Sequence, residues 1–299
     1  MKPTRVLLAV DTRSTSAAAI RWTARRAERA GTVIDIVSVA TDDDALLADA
    51  RSAVAAARTE ILRSAPAARV TASVRRGNVV DVLVESSEST DLLVVGSDRS
   101  RPLRAFFHTG VAMRLTGRVR CSLVVVPSAW SGLPGTTVAV GWDDGRAAEL
   151  AVEAAAHEAE AWGLPLRIHH VWRPVALSSY DAVGGAALVS ATAEGERLAL
   201  ARVVRETAER HPALTISGEL HLGGGGDGIL DQAPRAELLV VGSHRRSAVG
   251  EILAGATSDD LIAAGSGTPV MVTAPDAGRS ARADDHQDDH DDHQHRDEA

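Results

Sequence analysis

Two stretches decide how this chain is read: LLVVGSDRSRPLRAFFHTG (residues 92–110) and LLVVGSHRRSAVGEILAG (residues 238–255). Both open with Leu-Leu-Val-Val-Gly-Ser. Four apolar residues running into Gly-Ser read as a buried strand that enters a loop. A chain that writes this twice is tested for duplication before any single motif is weighed.

The duplication extends in both directions. Val6–Asp11 (VLLAVD) matches Val138–Asp143 (VAVGWD) at an offset of 132. An Ala-rich helical stretch follows each Asp and ends at Gly31 and Gly163, at the place of a helix C-cap. Thr32–Val39 and Leu164–Val171 then read as buried strands. The Leu-Leu-Val-Val-Gly-Ser pair stands at an offset of 146, so about 14 residues are added to the second half. Their expected place is the Gly/Ala/Ser-rich run Arg173–Gly195. SLVVVP (Ser122–Pro127) and PVMVTAP (Pro269–Pro275) close the two halves.

Val/Leu-rich strands alternating with helices predict parallel sheets covered on both faces. The expected fold class is α/β: two tandem doubly wound five-stranded parallel-sheet domains, Rossmann-like. The expected division is residues 1–130, a linker at 131–136, residues 137–275, and an acidic tail at 276–299. Doubly wound sheets bind ligands at the carboxyl ends of their strands, where strand order reverses. If the first and fourth strands flank that reversal, Asp11 and Gly96 share one cleft. Asp143 and Gly242 share the other.

Composition bounds the rest. The 299 residues are 45% hydrophobic and only 3% aromatic, so the core is Val, Leu, Ile and Ala. One cysteine, Cys121, excludes an internal disulfide framework and fits a reducing compartment. The apolar run after the first residues is too short for a signal peptide or a membrane span. The expectation is a cytoplasmic protein without membrane contact. The net charge of −8 is concentrated at the end: residues 279–299 carry about −5 and the remainder about −3. No basic face argues for nucleic-acid binding.

In this order, and occurring twice, the Asp-ending strand, the Gly before the third helix (Gly77, Gly223), the Leu-Leu-Val-Val-Gly-Ser unit and the Val-rich last strand resemble the universal stress protein family. The resemblance implies a fold of the adenine nucleotide alpha hydrolase-like kind and the dimerisation through the last strand that many members show, a pair that tandem members can form within one chain. It leaves further pairing into a homodimer open. Members able to bind ATP carry Gly-x-x-Gly, nine residues, then Gly-Ser or Gly-Thr. Such glycines let backbone N–H groups reach phosphate oxygens. The Asp ending the first strand then lies on the adenosine side, and the residue closing the second strand lies near adenine.

Carried over, the first half offers Asp11, Val39 and Gly96, with Arg99 at the second Gly, Thr109 at the third and Gly110 at the hydroxyl position. The second half offers Asp143, Val171, Gly242 and Ser243, with Arg245 at the second Gly, Gly255 as the third and Ala256 for the hydroxyl. Arg crowds a backbone approach, yet its planar fork also suits phosphate. A third alternative pairs Arg99 with Asp11 and Arg245 with Asp143. The expectation is weak or absent ATP binding in the first half and weak binding in the second.

Plainer readings stand beside these. Asp11 and Asp143 also suit turn capping. Arg101 and Arg104 suit a solvated loop, and His108 a helix face. Cys121 suits a core strand. The four tail histidines, His286, His290, His293 and His295, suit a solvated low-complexity segment before a metal site. GGGGDG (Gly223–Gly228) reads as loop flexibility. There is no Gly-x-Ser-x-Gly, His-Glu-x-x-His or Gly-x-x-x-x-Gly-Lys-Ser/Thr. The chain is therefore expected to be a non-enzymatic stress-response regulator or sensor. The alternatives are a scaffold that binds no nucleotide and a slow ATP hydrolase.

Overall fold

A computed structural model describes residues 3–12, 16–29, 31–40, 44–97, 114–115, 118–172, 182–222, 236–243 and 267–274. The first half contains β1 (Thr4–Ala9), α1 (Ala17–Arg29), β2 (Thr32–Ala40), α2 (Asp44–Ser64), β3 (Arg69–Arg76), α3 (Val79–Ser86), β4 (Leu92–Ser97) and β5 (Ser122–Pro127). The second contains β6 (Thr137–Trp142), α4 (Arg146–Trp162), β7 (Leu166–Trp172), α5 (Ala182–Arg210), β8 (Ile216–Leu222), β9 (Ala236–Val241) and β10 (Val270–Val272).

Within each half the strands are parallel, and their order follows from two crossovers in opposite directions. The whole runs β3-β2-β1-β4-β5-β10-β9-β6-β7-β8, one ten-stranded sheet. β1 lies between β2 and β4, and β6 between β7 and β9, so strand order reverses at β1/β4 and at β6/β9. The added residues of the second half lie between β7 and β8, where α5 runs for 29 residues against 21 in α2. Gly77 turns the chain from β3 into α3 with φ +133, a conformation open to Gly and strained for other residues. Asn78 then caps α3, its side chain accepting from the Val80 and Asp81 N–H groups.

The halves meet by their last strands. β5 and β10 pair antiparallel, Val124 opposite Met271, flanked by Val125–Val270 and Leu123–Val272. Ser122 pairs with Leu92 on β4 and Val270 with Leu239 on β9, so Val124 and Met271 occupy matching places in the two repeats. An approximate twofold axis therefore passes through that pair. All of these residues are buried.

Above the axis, α1 meets α4. Arg26 and Glu158, each five residues before its repeat's Gly31 or Gly163, form a buried two-pronged ion pair. Arg26 Nε donates to Glu158 Oε2 at 3.0 Å and Nη2 to Oε1 at 2.7 Å. Burial works against the guanidinium's charge. The Glu158 carboxylate more than offsets this through its charge and hydrogen bonds, and raises the Arg26 pKa. Trp22 and Trp162 pack beside the pair, ring centroids 5.6 Å apart. Arg25 lies over Trp130 and Trp162, donates to the Gly132 carbonyl, and reaches buried Glu237 at 3.1 Å. Glu237 also accepts from the Gly135 N–H at 2.7 Å, which ties the connecting segment to β9.

Removing one member of this pair leaves the other charge buried alone. Glu158→Ala is expected to lose about 3–5 kcal/mol in urea unfolding, and Arg26→Met combined with Glu158→Leu to recover most of that. An apolar double variant no more stable than Glu158→Ala contradicts this account.

Candidate functional site

The reversal points bring the expected residues to the carboxyl edge of the sheet. Asp11 leaves β1 beside β4, which ends in Gly96-Ser97, and Val39 sits near the end of β2. In the second half Asp143 leaves β6 beside β9, from which Gly242 and Ser243 emerge, and Val171 sits near the end of β7. Both second strands run one residue further than the sequence suggested, to Ala40 and Trp172. Arg99, Thr109, Gly110, Arg245, Gly255 and Ala256 lie outside the described residues, as do Arg101, Arg104, His108, Gly223–Gly228 and the tail. The pairings considered between Arg99 and Asp11, and between Arg245 and Asp143, therefore fall there too.

Asp11 is partnered by Ser16 at the start of α1. The Ser16 hydroxyl donates to its carboxylate at 2.8 Å, and its N–H donates back to the Ser16 oxygen at 2.9 Å. In the second half the Asp143 carbonyl accepts from the Gly145 N–H. Gly145 is the N-cap of α4 and has no side chain with which to cap it; its carbonyl accepts from the Ala148 N–H.

Gly242 has a structural reason to be Gly. A Cβ there would lie 2.7 Å from the Ala147 carbonyl oxygen and 2.9 Å from its carbonyl carbon. The exit of β9 and the first turn of α4 touch backbone to backbone. The requirement for Gly is met by packing alone, before any phosphate is considered.

Sequence reading missed a polar cluster under the same edge. His169 on β7 pairs in register with Glu219 on β8, and His221 lies two residues on, opposite Val171. His169 is fully buried, and its Nδ1 stands 3.0 Å from His221 Nε2. Burial, the dominant cause, brings the His169 pKa from 6.5 down to about 4; Glu219 opposes this, while His221 and Arg167 add to it. Two adjacent histidines in the middle of the strand LRIHHVW were the available signal. Its neighbour His170 points to the opposite face and is satisfied there by the Trp142 carbonyl at 2.9 Å and Glu196 at 3.0 Å. Cys121 is buried where β5 begins, and burial raises its thiol pKa, which suits the packing role expected of it. No helix among the described residues is long and apolar enough to cross a membrane.

The model of the universal stress protein family matches residues 3–127 and 136–274. A universal stress protein of Mycolicibacterium smegmatis is 27% identical over 296 residues, covering 90% of this chain and 97% of that one. One from Mycobacterium tuberculosis is 23% identical over 301 residues, covering 90% and 95%. Among solved structures, a universal stress protein from Archaeoglobus fulgidus aligns with TM-score 0.59 at 18% identity, over 90% of this chain and 95% of that one.

Gly242→Ala is expected to lose about 1–3 kcal/mol, because a backbone contact must open. Gly195→Ala, inside α5 with open space around it, is expected to gain about 0.5–1 kcal/mol. Chemical denaturation of both variants checks the pair. Equal effects would show that the Ala147 contact does not set the need for Gly242.

Proposed function

The chain belongs to the universal stress protein family over both halves, and from that premise we propose that it is a stress-response regulator whose second half takes an adenine nucleotide weakly. The observation that carries this is the convergence of Asp143, Gly242 and Ser243 just beyond the ends of the adjacent strands β6 and β9, next to the N-terminus of α4. A carboxylate can accept from ribose hydroxyls, and helix N–H groups favour a phosphate. Val171, partly buried at the end of the neighbouring strand, offers an apolar surface for the base. The substitution of Arg245 for Gly, with Ala256 in place of the hydroxyl, argues that affinity is low.

The first half supports this reading less well. Its loop keeps only one Gly of the motif. We assign that half to building the paired sheet rather than to ligand capture. The second reading is a scaffold without nucleotide, acting by protein contact. It is favoured by Gly242, whose lack of a side chain is needed for packing against Ala147 whether or not a ligand binds.

Calorimetric titration of the full chain with ATP separates the two. Weak binding is expected, reduced about tenfold or more by Asp143→Ala, as loss of hydrogen bonds to a charged group implies, and little changed by Asp11→Ala. Loss of binding on Asp11→Ala alone would overturn the assignment to the second half. Absence of heat at millimolar ATP, with an unchanged melting temperature, would establish the scaffold reading.

A further inference from the structure

The two halves provide a control on one another. Val37, Ser73 and Arg75 of the first half occupy the places of His169, Glu219 and His221 in the second: Val37 pairs with Ser73 and Val39 with Arg75, as His169 pairs with Glu219 and Val171 with His221. Val37 is a buried member of an apolar core cluster. The fold thus builds this layer from an apolar residue in one half and sets a His-Glu-His group into it in the other. His169 is buried, with His221 and Glu219 partly so, and burying an imidazole is costly unless something satisfies it. Nothing in the pairing of strands asks for it.

From this cluster we infer that the second half holds a divalent transition-metal ion of the zinc class, with His169 Nδ1, His221 Nε2 and Glu219 Oε2 as ligands. The distances fit. The two nitrogens are 3.0 Å apart, and Glu219 Oε2 is 3.7 Å from each. A point equidistant from all three atoms lies about 2.0 Å from each, the length of a zinc–nitrogen or zinc–carboxylate oxygen bond. The donor set, two imidazoles and one carboxylate, suits zinc, nickel or copper and is poor for magnesium or calcium.

The rings at present face each other edge to edge, with planes 21° apart and centroids 5.3 Å apart, the arrangement of an N–H···N hydrogen bond. The ion replaces the shared proton, and each ring pivots about its broad χ2 torsion toward Glu219. Arg167, 3.3 Å from Glu219 Oε1, holds the carboxylate from its other oxygen and leaves Oε2 to the ion. Three protein ligands leave a fourth position for water or an external donor.

A second group, His157, Glu160 and His211, is a weaker candidate. Its His157 and Glu160 are exposed, and both nitrogens of His211 already contact Glu160 and Glu153. The tail histidines are a third source of metal affinity. The test therefore uses the full-length chain with His286, His290, His293 and His295 replaced by Asn as the reference protein. Zinc is titrated against a chromophoric chelator, and cobalt is added separately for its visible absorption.

One tight equivalent and a four-coordinate cobalt spectrum are expected in the reference. Both should vanish on adding His169→Val, the residue that the first half tolerates at this place. His221→Gln, on the edge strand, should abolish the same equivalent and serves if His169→Val proves unstable. His157→Gln should leave it intact. A reference protein without a tight equivalent, or one that keeps it in His169→Val and His221→Gln, overturns the proposal. Loss on His157→Gln alone would move the site to α4 and overturn it equally.

Discussion

The antiparallel contact of β5 with β10, closed over by the Arg26–Glu158 pair, is the constraint on which the molecule depends. It turns two five-stranded sheets into one and leaves neither last strand as an open edge. Because Arg26 and Glu158 occupy matching places in the two repeats, each half brings a single sign of charge to the twofold axis. Two first halves would oppose buried guanidinium groups, and two second halves would oppose buried carboxylates. Only unlike halves neutralise the axis. A buried ion pair adds little net stability, but it discriminates strongly against the wrong partner.

That division lets the halves diverge. The first keeps apolar Val37 on β2 and pairs Asp11 with Ser16. The second puts His169 in the place of Val37, beside Glu219 and His221. Fold and pairing are shared, whereas the groups that the proposed ligand sites would use lie in the second half.

Much of this was legible in the sequence, for identifiable reasons. The strands are continuous Val/Leu runs, the two offsets located the insertion between the second and third strands of the second half, and the glycines marked helix ends. Arg26 and Glu158 were not legible. In an Ala-rich amphipathic helix an Arg and a Glu read as solvated positions, and only the docking of the halves buries them. Gly242 was legible as a required Gly, but the contact behind that requirement is tertiary. His169 was hidden because a histidine in an apolar strand has no periodic signature separating a core residue from a ligand.

The most direct test of the account is the thermal unfolding of the full chain by scanning calorimetry. A continuous sheet with a buried charge pair at its centre should melt in one transition whose calorimetric and van't Hoff enthalpies agree. Two resolved transitions, each with the enthalpy of about half the chain, would show that the halves fold independently and would contradict the central place given to their junction.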